Sequence, residues 1–80
     1  MYEDDDNYDK PAPGAVNATR NTVIDYLMHP QGGRLSKEKA TELVDKHKEM
    51  VETGQRLTSF ANYVGGKILR AEGLPEYDCE

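Results

Sequence analysis

Eighty residues with a net charge of −5 make one small domain at most, and so short a chain buries too little surface for a secure core without a partner, a metal or disulfides. The single cysteine, Cys79, excludes an internal disulfide; His29 and His47 without a cysteine pair make no zinc set, so no metal or cofactor is expected and a second chain is left to supply the burial. No run is apolar enough to cross a bilayer, and the acidic start MYEDDDNYDK is the reverse of a signal peptide, so a cytoplasmic protein without membrane contact is expected.

The charge is unevenly divided. Residues 1–10 sum to −4 and residues 72–80 to another −4, which leaves a body of +3 with nine Lys and Arg against Asp25, Glu38, Glu42, Asp45, Glu49 and Glu52. Residues 1–14, with their acids and the breaker cluster KPAPG, read as a disordered acidic tail; residues 15–72 read as a helical domain and residues 73–80 as a second acidic tail.

In chain order, the first helix is predicted over residues 15–28. Val16, Val23, Ile24, Leu27 and Met28 share one face, and His29-Pro30 followed by Gln31-Gly32-Gly33 stops it. Ser36 is a good N-cap for the next helix, with Leu35 placed to staple onto Ala40. From there Ala40, Leu43, His47, Met50, Gly54, Leu57, Ala61, Val64, Ile68 and Ala71 alternate spacings of three and four, a heptad repeat in phase throughout. Gly73 and Pro75 supply the stop, with Arg70 in the last turn where a cation is favoured.

HKEMVETGQRLTSF, residues 47–60, decides the architecture. A turn is suggested by Gly54 and by a fresh helix start at Thr58 or Ser59; continuity is suggested by the unbroken heptad phase, by Glu52 and Arg56 at i and i+4, and by the absence of Pro, Asn or a second Gly. Continuity is favoured. The expected fold is therefore all-α, a short first helix packed on one long heptad-patterned helix of residues 36–72, with a helical hairpin broken near Gly54 as the alternative and disordered acidic termini at both ends. A rod of that length would run to ~54 Å, more than the first helix can cover. In a continuous helix Gly54→Ala should be stabilising, and in a hairpin with Gly54 as a left-handed cap it should be destabilising.

Catalytic chemistry has little to work with. Ser36 sits at a cap, Ser59 in a helix and Cys79 in a tail, while His47 at a seam position reads as a register-setting polar residue, so no nucleophile has a base and no enzyme is expected. Glu38 and Glu42 share a face with Lys37, Lys39 and Lys46 interleaved, the pattern of a solvated surface. Gly65-Gly66-Lys67 lacks the strand and spacing of a phosphate loop and is better read as close helix packing. Arg56, Lys67 and Arg70 are too few for a phosphate footprint, so direct nucleic-acid binding is not expected.

The expected function is a small non-catalytic helical module that binds and modulates a larger protein, or its own copy as a homodimer, through Leu43, Met50, Leu57, Phe60, Val64 and Ile68. Its size and tails have the general look of a virus-encoded inhibitor of a host protein. The alternative is an acidic nucleic-acid mimic: Glu3, Asp4, Asp5, Asp6 and Asp9, interleaved with tyrosines, would compete for a nucleic-acid-binding site, although solubility is the simpler use of such a tail.

Overall fold

The computed structural model describes residues 14–76. Among them are four helices and no strand: α1 (Arg20–Met28), α2 (Lys37–Lys46), α3 (Lys48–Arg56) and α4 (Ala61–Ala71). The all-α class agrees with the sequence, but the expected rod of residues 36–72 is three helices. Its surplus apolar stripe is covered by bending the chain over α1, which packs against each of the other three helices.

The first helix starts later than the pattern of apolar residues suggests. Thr19 is its N-cap: the Thr22 amide donates to Thr19 Oγ1 at 3.2 Å and the Thr19 amide donates to Thr22 Oγ1 at 2.7 Å, a reciprocal box. Residues 14–18 are not helical, so Val16 is exposed rather than part of a helical face. Beyond Met28 the loop turns back on the helix end. The Gly33 amide donates to the Tyr26 carbonyl and the Leu35 amide to the Leu27 carbonyl, which satisfies acceptors a helix end leaves unpaired.

Ser36 caps α2 as expected, its hydroxyl accepting from the Lys39 amide at 3.2 Å. The first bend follows at His47, whose backbone (φ −111, ψ 37) leaves the helical region. His47 still donates to the Leu43 carbonyl, and its own carbonyl accepts from Met50 and Val51, so α3 begins at once in a new direction.

The second bend is a Schellman motif without glycine. The Ser59 amide donates to the Gly54 carbonyl at 2.7 Å and the Thr58 amide to the Gln55 carbonyl at 3.2 Å, while Thr58 takes the left-handed position with φ 55. A β-branched residue there costs roughly 1–2 kcal/mol. α4 ends in the same motif with its usual residue: Gly73 (φ 72) donates to the Arg70 carbonyl and Leu74 to the Leu69 carbonyl.

No side chain caps the start of α4. Its first amides are satisfied by the extended segment before α1: Ala61 donates to the Val16 carbonyl at 2.7 Å and Asn62 to the Gly14 carbonyl at 2.9 Å, while Ala18 donates back to Ser59 at 2.8 Å. An isolated antiparallel bridge, Asn17 with Phe60, results.

The core holds Val23, Tyr26 and Leu27 of α1, Ala40, Leu43 and Val44 of α2, Val51 of α3, and Ala61, Val64, Ile68 and Leu69 of α4, with Ala18 ahead of α1. Each fully buried Leu, Ile or Val contributes about 1.5–3 kcal/mol. Gly65 lies under the Tyr26 ring and Gly66 under the Glu76 carboxylate, so the glycine pair serves close packing.

Gly54 is a helix-interior residue buried against Val64, and a β-carbon there would overlap Val64 Cγ2, a stiff branched atom. Gly54→Ala should therefore lower stability by roughly 1–3 kcal/mol by overpacking. Thr58→Gly should raise it by about 1 kcal/mol by relieving the left-handed threonine. Urea denaturation of the two variants checks both signs; a stabilised Gly54→Ala would mean the α3–α4 corner is not formed.

Candidate protein-binding site

Among the described residues, the corner between α3 and α4 gathers most of the exposed large apolar side chains. Leu57 is 64% exposed, Tyr63 56% and Phe60 51%. The causes are local. Leu57 occupies the C-cap of α3, where the chain leaves the core, Phe60 occupies the N-cap of α4, and Tyr63 lies on the outer side of the first turn of α4.

Beside the corner a groove of about 400 Å³ runs between the two helices. Glu49, Met50 and Thr53 form its α3 wall, Tyr63 and Lys67 its α4 wall, and Leu57 closes the corner end. Gly54 and Val64 lie between these walls, and the missing side chain at Gly54 lets the two helices approach. The Lys67 ammonium stands 5.2 Å from the Tyr63 ring centroid, a cation–π contact at the groove edge. Chemically the groove offers a mixed surface: Met50, Leu57 and the Tyr63 ring are apolar, Thr53 and Ser59 carry hydroxyls, and one carboxylate and one ammonium stand at the rim.

Of the residues the heptad repeat predicts for partner binding, Leu43 and Ile68 lie in the chain's own core and are closed to any partner of the folded protein, while Val64, also buried, shows only its edge at the floor of the groove. Met50 is half-buried at the groove; Leu57 and Phe60 are exposed. The repeat could not separate these classes, because it continues in phase through a corner that turns some positions inward and leaves others outside. Tyr63 falls off the apolar stripe, so the repeat does not point to it. An aromatic beside a small-residue stripe is the signal that was present. Glu3, Asp4, Asp5, Asp6 and Asp9, and Cys79, lie outside the described residues.

A polar cluster fixes the other end of the hairpin. Glu72, the C-cap of α4, accepts on Oε2 from His47 Nε2 at 2.7 Å and from Lys46 Nζ at 3.0 Å, tying the α2–α3 bend to the end of α4. An ionised carboxylate can only accept, so Nε2 carries the proton. Seam residue His47 thus sets the bend. Glu38 and Glu42 are exposed on α2, and Asp45 pairs with Arg20 of α1. Among the described residues no group of three His, Cys, Asp or Glu is placed to hold a metal ion, and no helix is long and apolar enough to cross a membrane.

No family model, no curated protein and no solved structure matches the chain.

The His47 hydrogen bond first, and that of Lys46 second, hold the Glu72 carboxyl below its ordinary range. A carboxylate depressed in the folded state contributes stability that is present above its unfolded value and lost as pH falls through its folded value. The protein should therefore lose stability on acidification through and below the ordinary carboxylate range, and Glu72→Gln should remove part of that slope. Thermal melts of both proteins across acidic pH test this: melting temperatures that differ at neutral pH and converge at low pH are expected, and a constant gap would exclude the linkage.

Proposed function

We propose that the protein is a small, non-catalytic, cytoplasmic interaction module that binds and modulates a larger protein through the α3–α4 corner. One observation carries this reading: Leu57, Phe60 and Tyr63 are each more than half exposed at one corner, beside an open groove whose lining mixes apolar and polar side chains. Singly exposed apolar residues are ordinary, but three large ones together on so small a surface favour a contact that covers them. A groove between two helices suits the apolar face of a partner helix, with Leu57 and Tyr63 as anchors and the charged rim setting its orientation.

The exposed residues are the ones to substitute, because a carboxylate at Val64 would unfold the core instead of probing the surface. Leu57→Asp and Tyr63→Asp should keep the helical circular dichroism and weaken partner capture by about tenfold or more each. Capture should survive high salt and deletion of residues 1–12, because the contact is apolar. Capture lost on that deletion and unaffected by both corner variants would sink the reading and favour the acidic mimic.

A further inference from the structure

The rim charges of the α3–α4 groove say what else fits it. Glu49 stands on the α3 wall and Lys67 on the α4 wall; both are exposed, and among the described residues neither has an ion-pair partner. An anionic ligand filling the groove would face Glu49, and a cationic one would face Lys67. A surface carrying both signs on opposite walls is instead complementary to itself under two-fold rotation.

Resting on the reading of this corner as a binding surface, we propose that the groove is also a homodimer interface, occupied by the same groove of a second copy until a partner displaces it. A two-fold axis along the groove sets the α3 wall of one copy against the α4 wall of the other. Each Glu49 then meets the other copy's Lys67, and Tyr63 and Leu57 of both copies are covered along the groove on the corner side of the two pairs. Two short helices per copy place the contact at the small end of specific interfaces, so association belongs in the micromolar range. The same apolar surface would be needed for a larger partner, which makes dimerisation and partner binding mutually exclusive.

The test is sedimentation of the intact chain over a micromolar concentration series. Glu49→Lys and Lys67→Glu are exposed changes that should leave the thermal melt near that of wild type, and each alone should weaken self-association by about tenfold or more because both rim contacts become like-charged. An equimolar mixture of the two single variants should recover dimers at the wild-type concentration, since both contacts are again of opposite sign, and the double variant should do the same alone. A monomeric wild type, single variants that associate like wild type, or a mixture that stays monomeric would each overturn the dimer. If the dimer fails while Leu57→Asp still abolishes partner capture, the interaction-module reading stands without it; if the dimer forms and no larger protein competes for the groove, that reading falls and the dimer stands.

Discussion

The Tyr26 ring is the object around which the remaining elements are arranged. It is buried, and the space it fills exists because three glycines from separate parts of the chain lack side chains. A β-carbon on Gly65 would overlap its Cδ2, one on Gly14 would come within 2.7 Å of its Cδ1, and one on Gly32 within 3.1 Å of its Cε1. The hydroxyl leaves the core at the far side and donates to Glu76 Oε2 at 2.6 Å, so the polar end of the ring is satisfied while its faces exclude water. One side chain therefore holds together the segment before α1, the loop after it, the middle of α4 and the chain beyond the end of α4. An aromatic ring accounts for this better than a leucine would, because it is wide and flat enough to touch all three glycines and carries its own hydrogen-bond donor.

Local chemistry was legible in the sequence wherever one residue type has one dominant use. Ser36 as an N-cap, Gly73 as a left-handed stop, His29-Pro30 as the end of α1 and the glycine pair as a packing site were readable for that reason, and all are in the structure. The corner at residues 57–60 was legible only as the less favoured alternative, a fresh helix start at Thr58 or Ser59, because its left-handed position holds threonine, the type of residue least expected there. Gly54 lies near the corner but serves as space for Val64. The bend at His47 carried no breaker at all. It is held by a side chain bonded to Glu72, a residue remote in sequence, and no local pattern reports such a bond.

The heptad repeat was real as a pattern of apolar residues and misleading as a statement of shape. Its physical content is that residues of one class recur every three or four positions; it does not require that the backbone between them stay helical. Here Ala40, Leu43, Ala61, Val64 and Ile68 all face the core although two bends separate them. A straight helix of residues 36–72 would carry more apolar stripe than the first helix could cover. The chain buries most of that surplus internally, and the remainder stays exposed at Leu57, Phe60 and Tyr63.

The way α4 begins couples distant parts of the molecule. Its first two amides are held by the carbonyls of Val16 and Gly14, so the opening turn of the last helix and the first described residues of the chain form one cooperative unit. Lifting that segment would leave two donors unpaired, loosen the corner beneath Phe60 and unseat Gly14 from the Tyr26 ring in a single event. The surface that carries Leu57 and Tyr63 is in this sense clamped from the amino-terminal side. Any cleavage that strips residues 14–18 would reach the α3–α4 corner without touching a residue of it.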